Sequence, residues 1–492
     1  MNRPLMLALA ALAGVGLPLG LAPFDFSWLA LAGITVLAWL ISRPQSAGFS
    51  FLLTFCYGLG LYGAGVYWVF VSIHTYGNAP VPLALFMTAL FVAFMAFMFA
   101  LPFFLARRYL FDASAMLWAF PALWLFNELY RSWIFTGFPW LLSGYSQMDT
   151  WLVGWAPVAG VFGLGFICAL SASALVYLRS PGPWRYLPIA ACACLWLLGK
   201  PLQTIEWTQP VGSPKQVALV QPNIPQQHKW DLSWRQPTYQ RLETLSRDHW
   251  DADWLIWPEA ALPTLLSDAQ PFLAEQAEQA AATRTSLVTG IIADLARRYH
   301  NSLVVLGQGS GIYHKQRLVP FGEYVPMQDQ LRGLIEFFDL PMSVLHRGPS
   351  GQSPLWLADT PVWPAVCYEI VYPDLIAEGS RGANAILTVS NDAWFGASTA
   401  PVQHLQMARM RAIETGRPVI RATNDGLTAL IDDRGRITAQ GERFTQLTLR
   451  GQTQPMAGQT PFMITGSLPW WLLSIVWAGA IRLRQVRAQN QA

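Results

Sequence analysis

Long apolar stretches separated by short polar breaks fill the first two hundred residues, near 5–23, 26–42, 50–73, 81–106, 114–134, 152–178 and 184–200, and an eighth runs from about 467 to 483. Each comes near the roughly 20 residues that a helix needs to cross about 30 Å of hydrocarbon. The pattern predicts a polytopic α-helical membrane domain of about eight transmembrane helices, seven in residues 1–200 and one after 466. The second and seventh stretches are short, and the fifth carries Asn127 and Glu128, which blurs their ends. The first contains Gly and Pro, lacks a clear small-x-small cleavage site and opens a series, so it reads as a span and not as a cleaved signal peptide.

From residue 201 the period shortens. Residues 216–220, 254–257, 286–292, 302–307, 362–367, 384–390, 418–422 and 427–431 read as strands, with helices at 234–249, 268–282, 373–380 and 401–415 between them. Such alternation implies a layered α/β domain over 201–466. Residues 451–461, rich in Gln, Gly, Thr and Pro, read as a linker back to the membrane, and 467–492 as a C-terminal span with a short tail.

Composition sharpens this division. The chain is 53% hydrophobic and 12% charged, against about 25% charged in an average soluble domain. Residues 1–200 hold only four acids (Asp25, Asp112, Glu128 and Asp149), and the other 25 of the 29 come later. The later part is therefore normally charged and long enough to bury its own core. A net charge of +3, dispersed along the chain, leaves no nucleic-acid footprint. There is no phosphate-binding Gly-Lys-Ser/Thr motif, no CxxC pair and no HExxH.

Basic residues set the orientation. With a cytoplasmic N-terminus, the inner loops and ends carry Arg3, Arg43, Arg107, Arg108, Arg179, Arg185, Arg482, Arg484 and Arg487. The opposite short loops carry only Arg131 and Lys200. Seven spans then put residues 201–466 outside the cytoplasm, and the eighth returns the C-terminus.

Four of the five cysteines (Cys56, Cys168, Cys192 and Cys194) lie in apolar runs, where cysteine behaves as a small hydrophobe. Cys367 instead ends a strand-like run and is followed by Tyr368 and Glu369. With no soluble partner for a disulfide, it is left with packing or nucleophilic chemistry. Glu259 follows the strand ending at Trp257, and Lys315 lies in the loop His314-Lys315-Gln316-Arg317. Layered α/β folds place reactive groups at such strand ends. A thiolate is favoured beside a lysine, a glutamate in a partly apolar cleft can move its proton, and a lysine can stabilise an oxyanion. Together the three suit acyl transfer through a thioester.

Trp257-Pro258-Glu259, the run from His314 to Pro326 and Cys367-Tyr368-Glu369 resemble the Glu–Lys–Cys signature of the nitrilase superfamily. With the flanking spans, Leu318-Val319-Pro320-Phe321-Gly322-Glu323-Tyr324-Val325-Pro326, Gly137-Phe138-Pro139-Trp140 and Ser390-Asn391-Asp392-Ala393-Trp394-Phe395, the whole chain resembles the bacterial apolipoprotein N-acyltransferases. The resemblance implies a nitrilase-like αββα domain on the periplasmic side of the inner membrane. It also implies an acyl chain taken from a membrane phospholipid onto Cys367 and passed to the α-amino group of a diacylglyceryl-cysteine at an apolipoprotein N-terminus. In it Glu259 is the base, Lys315 the oxyanion stabiliser and Cys367 the nucleophile, supported by Glu323, Tyr368 and Glu369. No metal or organic cofactor is implied, and the membrane anchors make a monomer sufficient.

Plainer readings stand beside these. Cys367 could be a packed strand-end cysteine, Lys315 a solvated lysine, Glu259 a helix cap, and Glu323 an ion-pair partner of Lys315 or Arg317. Trp230, Trp140, Trp394 and Phe395 are core or interface aromatics by default, and lining of an acyl path is their functional reading. His404 reads as a surface or packing residue, and Glu128 with Arg131 as a local ion pair. The Leu-, Phe- and Met-rich loop at 327–350 is expected to be a membrane-facing lid. Two rival functions remain: a membrane-bound nitrilase-type amidase with water as final acceptor, and a transporter or binding module without chemistry.

Overall fold

The structure, a computed structural model, describes residues 1–295, 298–324 and 344–491. Most of the expected lid therefore lies outside the described residues. The chain forms two compact units: Met1–Phe70, Val81–Ile205 and the segment from Thr465 onward make the first, and Val71–Pro80 with Glu206–Ile464 the second.

In the first unit, helices Arg3–Leu19, Ser27–Ile41, Ala47–Gly65, Val81–Leu105, Ala113–Arg131, Ala156–Tyr177, Tyr186–Leu202 and Leu468–Gln491 fall on the eight apolar stretches. Among the described residues, three segments, Ala47–Gly65, Val81–Leu110 and Trp151–Tyr177, are long and apolar enough to cross a membrane. Arg3–Leu19 and Ser27–Ile41 are apolar but, at 17 and 15 residues, reach only about 26 and 22 Å at 1.5 Å per residue. Small residues let backbones close up, as between helices in lipid: a Cβ on Gly14 would strike the Tyr57 carbonyl, and one on Gly60 the Ala11 carbonyl.

The expected Glu128–Arg131 ion pair does not form. Glu128 Oε1 accepts from the Ser143 amide (2.6 Å) and hydroxyl (2.8 Å), while Arg131 donates to the carbonyls of Phe138 and Trp140. The chain turns back beyond the helix end and offers these backbone groups, which need partners once buried.

The second unit is an αββα sandwich. Among the described residues, one sheet has six strands in the order Leu447–Thr453, Lys215–Gln221, Trp254–Ile256, Ser286–Leu295, Arg298–Gly307 and Ile312–His314. The other has seven, in the order Ile437–Gln440, Ala429–Ile431, Val419–Thr423, Ala385–Ser390, Thr360–Val366, Leu355–Leu357 and Gly309–Ser310. The sheets face each other, with Val419–Thr423 against Lys215–Gln221 and Thr360–Val366 against Arg298–Gly307. Central strands are parallel and buried on both faces, which explains their near-continuous apolar runs. Leu242 and Leu273, from helices Leu232–Ser246 and Gln270–Thr283, pack on the first sheet against Leu255, Leu287 and Ile291. Helices Pro373–Ser380 and Ala400–Thr415 lie on the second sheet's side.

Residues 451–461 are not a free linker. Thr453 ends a strand paired antiparallel with Lys215–Gln221, and Met456–Gly458 pairs with Thr208–Pro210. Leu447–Thr453 is a half-exposed edge strand, whose polar composition hides its pairing.

Candidate active site

Strand ends carry the candidate reactive groups and their neighbours. Glu259 follows Trp254–Ile256, Cys367 follows Thr360–Val366, Asn391 follows Ala385–Ser390, and Lys315 follows Ile312–His314. Gly290 makes room for the first: a Cβ there would sit 2.5 Å from the Pro258 carbonyl and 2.8 Å from Glu259 Cα. Cys367 has φ of 52°, in the left-handed region that L side chains rarely adopt. Strain of this kind persists only where the surroundings hold it.

Lys315 lies almost wholly buried between two carboxylates, with Nζ 2.9 Å from Glu323 Oε1 and 3.6 Å from Glu259 Oε1. Burial pulls its ammonium down, but Glu323, Glu259 and Cys367 together hold it above the ordinary lysine value. It is therefore a fixed cation. Asn301 Nδ2 ties the two acids together, donating to Glu259 Oε1 (2.7 Å) and Glu323 Oε1 (3.1 Å). The other oxygens are held by backbone: Asn391 N–H donates to Glu259 Oε2 and Val319 N–H to Glu323 Oε2, each at 2.8 Å.

Cys367 is half-buried, and its thiol sits above the ordinary value. Burial pushes it up, and the Glu259 charge adds to this; Lys315 pulls the other way and is outweighed. The resting sulfur therefore keeps its proton despite the neighbouring lysine, and a base must take that proton to give a thiolate.

Glu369 joins the cysteine to the lysine loop. Its Oε2 accepts from Val366 N–H (2.8 Å), and its Oε1 from Gln316 N–H (2.6 Å) and Arg317 N–H (3.1 Å). Tyr313 donates its phenol to the same carboxylate at 3.0 Å. Burial pushes the Glu369 carboxyl up to about 7 against these donors. It acts as a clamp between two loops. Tyr368 is buried with its ring 5.3 Å from Tyr372.

Among the aromatics, Trp230 packs on Ile292, Leu318 and Leu345. The Trp394 ring lies 5.8 Å from Tyr76, and its carbonyl accepts from the Ser72 hydroxyl at 2.8 Å. Residues 71–80, sequence neighbours of an apolar helix, thus belong to the second unit. Phe395 lies edge-on to His404. Trp140 is fully buried in the first unit against Trp68. His404 is buried, which is the packing alternative and not the surface one. Among the described residues, no group of three His, Cys, Asp or Glu is placed to hold a metal.

Lys229 was not foreseen. It is buried, its Nζ donates to the Glu259 carbonyl at 3.1 Å, and burial lowers it to about 8 against the pull of Glu259, Asp425 and Cys367. An unfolded lysine titrates near 10.4. Between these values the unfolded chain binds more protons, so this site's contribution to stability rises with pH from about 8 to 10.4. The parent is expected to gain thermal stability relative to Lys229→Met across that window. A gap that does not change with pH would show that Lys229 stays charged.

A family model described as apolipoprotein N-acyltransferase N-terminal domain matches residues 13–174, and one described as carbon-nitrogen hydrolase matches 216–461. The apolipoprotein N-acyltransferase of Pseudomonas paraeruginosa is 46% identical over 466 residues, covering 92% of this chain and 91% of the relative. That of Vibrio cholerae is 38% identical over 503 residues, covering 99% and 98%. Among solved structures, Nit3 of Saccharomyces cerevisiae, a member of the nitrilase superfamily, aligns with 54% of this chain and 97% of its own at 17% identity and a TM-score of 0.38. The chain belongs to the apolipoprotein N-acyltransferases and is an acyltransferase built on a carbon–nitrogen hydrolase unit.

Proposed function

We propose that the chain moves an acyl chain from a membrane phospholipid, through a thioester on Cys367, to the α-amino group of the diacylglyceryl-cysteine that begins an apolipoprotein. The arrangement of Lys315 between Glu259 and Glu323, with its charge reaching Cys367, carries this reading. Glu259 takes the thiol proton and the sulfur attacks the donor ester carbonyl. The resulting oxyanion faces the Lys315 ammonium. Lysophospholipid departs with the proton from Glu259. The acceptor amine then attacks the thioester, gives a proton to Glu259, and the C–S bond breaks with its electron pair going to sulfur, which Glu259 reprotonates.

Glu323 keeps Lys315 charged and Glu369 keeps its loop against Cys367. Trp230, Trp394 and Phe395, half-buried, contribute apolar surface for acyl chains, whereas Trp140, fully buried within the first unit, presents none. In this reading residues 1–200 and 467–492 anchor the chain in the inner membrane by about eight spans, and 201–466 work in the periplasm. Both substrates are lipids confined to the bilayer, so anchoring the enzyme supplies proximity that a soluble hydrolase lacks. A monomer suffices, because every group named comes from one chain.

Water as final acceptor is the competing outcome, since the same three residues serve an amidase. With phospholipid alone, lysophospholipid release is expected to stop near one equivalent per enzyme, and addition of a diacylglyceryl-cysteine peptide should restore continuous release. Sustained release without any amine would favour hydrolysis.

A further inference from the structure

Behind Cys367 lies a second, fully buried polar chain that the steps above do not use. Ser390 Oγ is 3.3 Å from Cys367 Sγ and 2.7 Å from Asp392 Oδ1. Arg421 Nη2 donates to Asp392 Oδ2 at 2.6 Å and lies 3.1 Å from His404 Nδ1, and His404 Nε2 is 3.2 Å from the Cys367 carbonyl oxygen. Ser390, Asp392, His404 and Arg421 are all at most 2% exposed.

The protons of this chain can be assigned from its partners. A carbonyl only accepts, so His404 Nε2 carries the hydrogen and donates it. Burial and Arg421 hold the imidazole below its ordinary pKa, so the ring is neutral and Nδ1 has a lone pair. One Arg421 Nη2 proton goes to that lone pair and the other to Asp392. The 3.2 Å approach of His404 to Asp392 is therefore not an ion pair, since both atoms accept from the same guanidinium. Asp392 is held well below the carboxylate range despite burial, with Arg421 the main cause. It is a permanent acceptor and too weak a base to take the thiol proton.

Ser390 has one proton and two lone pairs. While the thiol keeps its proton, the hydroxyl donates to Asp392 and its oxygen accepts from S–H. Once Glu259 has removed the thiol proton, the sulfur becomes an acceptor within reach of the same hydroxyl. We propose that Ser390 is a further catalytic residue, a hydroxyl that turns its proton from Asp392 to Cys367 Sγ whenever the sulfur carries negative charge, with Asp392, Arg421 and His404 as positioning residues. That charge develops twice: when S–H breaks and the S–C bond forms, and when the C–S bond breaks with its pair going to sulfur. Ser390 keeps its O–H bond throughout. His404 meanwhile holds the carbonyl of a residue in strained left-handed backbone, which keeps the sulfur in place.

The proposal rests on Cys367 as nucleophile and is tested on the full chain in two ways. The pH dependence of iodoacetamide alkylation, read at the Cys367 peptide, reflects Ser390 together with the charges facing the thiol, namely Glu259, Lys315, Lys229 and Asp392. Ser390→Ala is expected to move that profile to higher pH and to slow both lysophospholipid release and amine acylation roughly 10- to 100-fold, the worth of a hydrogen bond to a charged group, with KM for phospholipid unchanged. Ser390→Thr, which keeps the hydroxyl, should stay within about threefold of the parent if one such bond is what matters. An alkylation profile unmoved in Ser390→Ala, or a folded threonine variant as slow as the alanine one, would overturn the proposal. Transfer retained by Cys367→Ala would instead overturn the thioester reading, a separate outcome.

Discussion

Replacing Cys367 with alanine is expected to abolish acyl transfer, a loss of roughly 10⁴- to 10⁶-fold by analogy with removal of other covalent nucleophiles, while the chain stays folded. The side chain removed is small and makes its hydrogen bond to Ser390 only, among the contacts of its sulfur described above. Alanine at φ 52° is strained no more than cysteine was. Stability should therefore change by no more than about 1 kcal/mol, and thermal unfolding of the variant is the control. Activity within tenfold of the parent would mean that the chain uses another nucleophile. The other four cysteines all lie on apolar helices of the other unit; Cys168 and Cys192 are buried, and Cys56→Ser with Cys194→Ser would then test the half-buried and the exposed one.

The second large effect is expected at Lys315, and it combines catalysis with stability. Lys315→Met leaves Glu259 and Glu323 buried, linked by one amide and without a cation. Breaking a buried pair in this way costs about 3–5 kcal/mol. Removing a preorganised charge from an oxyanion costs roughly 10²- to 10³-fold in kcat. The pH dependence separates the two. In the parent, the lysine binds its proton more tightly folded than unfolded, so its stabilisation is complete below about 10.4 and is lost as pH rises through the folded value. In the variant, one carboxyl of the orphaned pair takes a proton above its unfolded value near 4.3, and the folded chain then binds more protons than the unfolded one. The variant should therefore gain more stability than the parent on acidification below about pH 7, since the raised Glu369 carboxyl contributes the same gain to both. A variant as stable as the parent, with no such gain, would place the two acids further from Lys315 in solution than in the structure.

Much of this was legible in the chain, and the exceptions have physical causes. The eight helical stretches announced themselves by apolar length, and the central strands by runs buried on both faces. Glu259, Lys315 and Cys367 stood out because strand ends and unusual neighbours are local signals. Asn301 and Lys229 carried none. Asn301 is one of three polar residues, His300-Asn301-Ser302, in the middle of strand Arg298–Gly307, and only its pairing reveals that Nδ2 reaches two acids. Such an interruption of a buried strand was the one available hint. Lys229 looks like any loop lysine until burial lowers it. For His404 the sequence leaves surface and packing open, because helix Ala400–Thr415 carries polar residues on its buried side, and this one meets Asp392, Arg421 and Cys367 only through tertiary contacts. The thiol's resting state also had to come from structure: sequence shows that a lysine favours a thiolate and that a glutamate can move its proton, but not that burial and Glu259 outweigh the lysine.

The most direct measurement is intact-protein mass spectrometry of the full chain incubated with phospholipid alone. The account predicts a mass increase of one acyl chain, carried on Cys367, released by a diacylglyceryl-cysteine peptide and absent from Cys367→Ala. Full turnover with no such adduct on Cys367 would contradict it.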